Sequence, residues 1–172
     1  ITGSATGKFM PTGKAIDVID GVEVSCMDVT MPVVIGRAKD FSITGYETLD
    51  ELDVNKELFA KMESIRLQAG KLMGMGDVSK SVMPKFGLFA QAKNGGTICV
   101  RYFMPWQTHP TLAATSSQCL AACVLAPGTV ADGLCDKPNE NPAKITIEHP
   151  LGAMEVTIDF ESNGIDSVVH SA

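Results

Sequence analysis

Thr111-Leu112-Ala113-Ala114-Thr115-Ser116-Ser117-Gln118-Cys119-Leu120-Ala121-Ala122-Cys123-Val124-Leu125-Ala126 is the stretch that decides the fold. It reads as a helix that Pro127-Gly128 brings to a stop. It contains no Asp, Glu, Lys or Arg, so no face of it prefers water. A helix that is apolar all round has to be surrounded by protein. Its many Ala and Ser residues let neighbouring backbones come close. Most segments around it read as strands. The expected architecture is therefore α/β (α+β), a barrel-like sheet wrapped around a central apolar helix.

Working outward, the strand pattern supports this. Lys14 to Ile19 and Val22 to Met27 flank Asp20-Gly21, a two-residue turn whose members tolerate positive φ. The second run alternates apolar and polar, as a half-buried strand does. Pro32 to Arg37 reads as a third strand. Lys85 to Gln91 and Thr97 to Met104 enclose the loop Asn94-Gly95-Gly96. Lys144 to His149, Ala153 to Phe160 and Ile165 to His170 complete the set, joined by Pro150-Leu151-Gly152 and Ser162-Asn163-Gly164. One other helix is expected. Asp53 or Asn55 can cap its start, Leu58, Met62, Ile65, Ala69 and Leu72 share one face, and Gly74 and Gly76 end it. Arg66, beside that stripe, reads as a solvated side chain.

Composition narrows the function. The chain has 172 residues, 45% hydrophobic and 20% charged, which fits one domain or one lobe of a larger enzyme. Its net charge of -6, with no basic stripe interleaved with aromatics, argues against nucleic acid. No run of about 20 apolar residues is present to span a membrane. Both ends read as cuts through a longer chain, and the first segment has no signal-peptide pattern. Five Cys, an odd number with three in apolar segments, suit buried free thiols and a cytoplasmic location.

The candidate chemistry gathers where a strand meets the apolar helix, over Arg101 to Thr111. Free backbone N–H groups and a partial positive charge at a helix start suit carboxylates. His109 just outside it can donate to an anion or relay a proton. Thr111, Thr115, Ser116 and Ser117 add hydroxyls. Arg101 adds charge if its side chain points to that end, which alternation alone does not say. The site expectation is therefore His109, Thr111, Thr115, Ser116 and Arg101 as anion-binding residues, set against ordinary capping and a core histidine. Other motifs are weaker. Gly3-Ser4-Ala5-Thr6-Gly7-Lys8 has glycine spacing one residue short of a phosphate loop, and Phe9 replaces the metal-binding hydroxyl, so a turn is expected. Cys119 and Cys123 share a helix face, but Thr111 stands where a zinc deaminase needs Glu; no metal is expected. His149-Pro150-Leu151-Gly152 reads as a turn between strands.

Several of these segments together resemble the second lobe of the PrpF-like isomerases. They are Thr12 to Cys26, Met31 to Ile35, Ile65-Arg66-Leu67-Gln68-Ala69-Gly70 with Met73-Gly74, His109-Pro110 and His149-Pro150-Leu151-Gly152. The resemblance covers nearly the whole chain. The family includes 2-methylaconitate isomerase, 4-oxalomesaconate tautomerase, 3-methylitaconate isomerase and aconitate isomerases. It implies a fold similar to diaminopimelate epimerase, in which two lobes each wrap a sheet round a helix and the substrate lies between them. On that reading residues 1–172 are the C-terminal lobe, the first lobe is absent, and the chain alone is inactive.

The implied reaction is a 1,3-proton shift in an unsaturated tricarboxylic acid, catalysed by a base and an acid without metal or organic cofactor. The implied proton-moving Lys and Cys belong to the first lobe, so no catalytic residue is assigned here. The partners expected are a small polycarboxylate and the missing lobe; a homo-oligomer is left open. Related epimerases carry a Cys at the start of the central helix. Ala113-Ala114-Thr115-Ser116-Ser117 has none, which counts against the alternative of a racemase or epimerase. A non-catalytic assembly lobe is the remaining alternative.

Overall fold

The computed structural model describes residues 2–172. Its strands are β1 (Asp17–Ile19), β2 (Val22–Val29), β3 (Met31–Arg37), β4 (Lys85–Ala90), β5 (Ile98–Phe103), β6 (Thr108–His109), β7 (Ala143–His149), β8 (Gly152–Glu161) and β9 (Val168–Ser171). The helices are α1 (Leu49–Asp53), α2 (Lys56–Leu72) and α3 (Ala114–Leu125), with 3-10 turns at Ala38–Phe41 and Gly164–Asp166. No helix among the described residues is long and apolar enough to cross a membrane.

One sheet runs β1-β2-β3-β4-β5-β7-β8-β9, with β6 also on β5. The β3–β4 and β5–β7 pairs are parallel, and the other pairs are antiparallel. Local hairpins explain most of the antiparallel pairs. Asp20 and Gly21 both sit at positive φ, 50° and 73°, in the β1–β2 turn, as the right-handed twist of the flanking strands requires.

The two faces of the sheet are covered differently. Met27, Val33, Ile35, Val100, Tyr102 and Ile145 face α3. Val24, Cys26, Val34, Phe86, Leu88 and Phe103 face α2 with its Leu58, Met62, Ile65 and Ala69. The period-2 alternation of each strand produces this division. α3 is buried from Ser116 to Val124 except at the half-buried Gln118 and packs against β2, β3, β7 and β8, strands near both ends of the sheet order. The sheet curls round the helix. Thr2 ties the curl together: it bridges Val29 of β2, and its hydroxyl accepts from Val169 N of β9. The small residues matter for close approach. A Cβ added at Gly87 of β4 would sit 3.1 Å from Leu120 Cδ2 of α3.

Several expectations are corrected. The apolar helix begins at Ala114, so Thr111 and Leu112 lie in the loop before it. The first strand is only Asp17–Ile19, and the run from Ile165 starts as a 3-10 turn. Arg66 is not solvated: it is fully buried. Its Nε and Nη2 donate to Glu63 at 2.7 and 2.8 Å, and further N–H groups donate to the carbonyls of Val78, Ser81 and Met83. A guanidinium has five N–H donors in a rigid plane, so it can pin the segment after α2 as no apolar residue could. α1 and β6 are short elements that hydrophobic periodicity does not reveal.

Candidate functional site

The start of α3 is open. Its N-cap is Ala113, which makes no side-chain cap, and its first turn contains no acidic residue. Ala114 is exposed and Thr115 half-buried. The first N–H groups of any helix lack partners inside it and carry partial positive charge, so this end presents donors to whatever lies beside it.

His109 precedes that N-cap by four residues and packs on Tyr102, whose hydroxyl reaches Ser116 in the first turn of α3. β6 holds it opposite Tyr102 of β5, and the two rings are 5.6 Å apart at a tilt of 50°. Thr111 N donates to His109 Nδ1 at 3.0 Å, and the Thr111 hydroxyl lies 3.4 Å from the same nitrogen. An imidazole that accepts at Nδ1 carries its proton on Nε2 when neutral. Thr111 therefore orients His109 and sets its tautomer. Thr115 stands half-buried in the first turn.

Ser116 faces inward instead. It is fully buried and shares a hydrogen bond with the Tyr102 hydroxyl, which joins β5 to α3. Burial pushes the Tyr102 phenol up, against a smaller lowering by Ser116.

Arg101 is elsewhere. Tyr102 faces α3, so its neighbour Arg101 projects from the opposite side of β5. There Nε donates to Glu47 O at 2.9 Å, and Nη1 donates to Val100 O and Cys99 Sγ. It lines a cavity of about 350 Å³ with Tyr46, Glu47, Leu49, Pro150 and Leu151. The structure thus joins His109 to Thr111, links Ser116 of α3 to the Tyr102 that faces His109, leaves Thr115 in the first turn without a hydrogen bond to any of them, and places Arg101 across the sheet.

The remaining motifs resolve as packing. The Gly3–Gly7 segment aims its donors at the protein itself: the Asp28 carboxylate accepts from Ser4 Oγ, Ala5 N, Thr6 N and Thr6 Oγ1. Cys119 and Cys123 are fully buried thiols. Burial pushes both up, Cys123 to about 12, with Thr129 and Lys137 lowering the latter less. A thiol so raised is a poor nucleophile or metal ligand at neutral pH. All five Cys are free, four of them buried.

A profile of the PrpF protein family matches residues 1–171. The chain belongs to the PrpF family. Within it, the protein YbhH of Escherichia coli K12 is 47% identical over 159 residues, 92% of this chain and 45% of that protein. The (4E)-oxalomesaconate Delta-isomerase of Novosphingobium sp. KA1 is 40% identical over 162 residues, 94% of this chain and 45% of that enzyme. The crystal structure of a methylitaconate-delta-isomerase superposes with a TM-score of 0.88 at 25% identity, over 98% of this chain and 49% of that one. This PrpF chain spans about half the length of the relatives it matches.

His149 opens the turn between strands that the sequence reading gave to His149-Pro150-Leu151-Gly152, and it pairs with Gly152 across that turn. It ends β7 and is half-buried, and Leu151 N donates to its Nδ1 at 3.3 Å. This repeats the geometry of Thr111 on His109. Burial pulls the His149 imidazole below its usual range, and the charges of Arg101 and His109 lower it further. The signal was present: His-Pro is spelled twice in the chain, at 109 and at 149.

Proposed function

We propose that this chain is one lobe of an isomerase that moves a carbon–carbon double bond in an unsaturated di- or tricarboxylic acid by a 1,3-proton shift. The carrying observation is the open start of α3 beside an imidazole whose Nε2–H is fixed by Thr111. The PrpF relatives named for oxalomesaconate and methylitaconate support the substrate class.

In this reading a base removes a proton from the carbon next to the double bond. The electron pair moves to form the new double bond, and charge builds on the conjugated carboxylate. An acid then protonates the far carbon, so the molecular formula is unchanged. His109, Thr111, Thr115 and the free N–H groups of α3 hold that carboxylate and stabilise the charge as it grows. Ser116 and Tyr102 keep the wall rigid, and Arg101 contributes only its field from across the sheet. The base and acid come from the other lobe, and the two lobes resemble those of diaminopimelate epimerase. The absence of a thiol from Ala113 to Ser117 disfavours an epimerase with one cysteine from each lobe.

The test uses the protein as it occurs in its source. Incubated in D2O with 4-oxalomesaconate, 3-methylitaconate, 2-methylaconitate and aconitate in turn, it should convert at least one and place deuterium at the new saturated carbon. His109→Ala should lower kcat/KM by more than tenfold with the fold intact. No conversion and no exchange with any of the four would overturn the reading.

A further inference from the structure

The two His-Pro turns meet at one place in the sheet. β5 pairs with β7 at Ile98 and Cys99, then with β6 at Tyr102 and Phe103. Antiparallel β4 pairs with β5 from Cys99 to Phe103, so β6 and β7 share the opposite edge of β5. Cys99 is opposite Glu148, which puts His149 beside Val100, while His109 is opposite Tyr102. The two histidines therefore flank positions two residues apart on one strand, about 7 Å at strand rise.

They also share a face. Val100 and Tyr102 both point to α3, and Ile147, two before His149 on β7, does the same. Alternation then sends His149 to that side. Both rings are half-buried, both have Nδ1 occupied by the backbone N–H two residues on, and among the described residues neither Nε2 donates to a protein acceptor. The carboxylate adjacent to His149 in the chain is not free to serve. Glu148 is committed to the backbone N–H groups of Lys93, Asn94 and Gly96.

We infer that His149 is a second substrate-binding residue, which with His109 makes a two-donor seat for one carboxylate in the split between β6 and β7. This rests on the polycarboxylate reading above. Two N–H groups on one side of a strand can converge on one carboxylate, which accepts and cannot donate. Neutral donors suit the task. They strengthen their hydrogen bonds as charge grows on the carboxylate, without surrendering a proton to it. Burial, with the Arg101 charge second, favours that neutral state at His149. Arg101 is the nearby cation on β5 and is tied to Glu47 O on the other face; it acts on the seat by its field alone.

The chain has three histidines, and the third is an internal control: His170 is exposed and pairs with Glu161 at 2.9 Å. In a histidine-selective 15N spectrum of the protein near pH 7.5, His109 and His149 should both show the Nε2–H tautomer. Adding tricarballylate, a saturated tricarboxylate, should shift both Nε2 signals and leave His170 in place. A shift at His109 without one at His149 overturns this inference and leaves the proposed function standing. A shift at neither removes the carboxylate seat altogether. Kinetics give a second reading. His149→Phe should raise KM at least tenfold, and His149→Gln, which keeps an N–H donor, should recover most of it. A loss of thermal stability in His149→Phe with KM unchanged would reduce His149 to a turn residue.

Discussion

The two long helices begin in opposite ways. α2, on the outer face of the sheet, closes its own start: Asn55 Oδ1 accepts from Leu58 N at 3.0 Å, and Glu57 puts a negative charge in the first turn. α3, inside the curl of the sheet, starts at Ala113 with neither device. A helix facing solvent on one side has to satisfy its end groups by local chemistry, because packing covers only its other side. α3 draws its stability from burial and leaves its first donors uncommitted. The unclosed start is the one that sits beside His109, and that contrast is what directs attention to it.

The largest effect expected concerns how α2 is held. Arg66 is buried with three carbonyls and Glu63 around it. Arg66→Ala strands those acceptors and breaks a largely buried ion pair, and should cost about 3 kcal/mol in urea unfolding. A loss below about 1 kcal/mol would mean water replaces the guanidinium freely, and that α2 is held no more tightly than a surface helix.

A pair of cap exchanges bears on the contrast directly. Asn55→Ala should destabilise by about 1 kcal/mol. Ala113→Asp should do the reverse, adding up to about 1 kcal/mol by closing α3, and should also lower kcat/KM for a polycarboxylate more than tenfold by filling the anion position with a carboxylate of its own. If Ala113→Asp left activity untouched, the open start of α3 would be a structural accident.

The smallest effect is a pH dependence. Burial raises the Glu63 carboxyl, but the Arg66 hydrogen bond and charge, with Trp106, outweigh it and leave it below its ordinary value of 4.5. A carboxylate depressed in the folded state stabilises above its unfolded pKa, and that contribution is lost as pH falls through the folded value. Glu63→Gln should therefore flatten the decline in stability from about pH 5 downward, seen as a shallower change in the urea midpoint than in the parent. Parallel declines would show that Arg66 holds α2 through the carbonyls alone.

Much of the fold was legible in the chain. The absence of any charge from Thr111 to Ala126 placed α3 in the interior, and Asp20-Gly21 announced its hairpin, because both signals are local. His109 and Thr111 were singled out separately as candidates, and the bond between them came from the structure, which folds the two into one turn. α1 was missed although Thr48 and Glu51 spell a capping box that the structure forms, since five residues are too few for periodicity to register.

The rest depended on contacts between distant residues. Arg66 lies next to an apolar stripe; α2 itself offers its N–H groups only the Glu63 carboxylate, and the return of Val78 to Met83 over α2 adds the three carbonyls that bury it. The face of Arg101 follows from which side of β5 α3 packs on, which alternation leaves undecided. His149 became a neighbour of His109 because β7 runs parallel to β5, and a parallel pair is joined through a long crossover rather than a hairpin. The sequence by itself determined the longer elements and the interior helix, since these follow from periodicity and charge along the chain. Which side chains converge at the mouth of that helix was decided by the tertiary structure, because strand order and register are properties of non-local pairing.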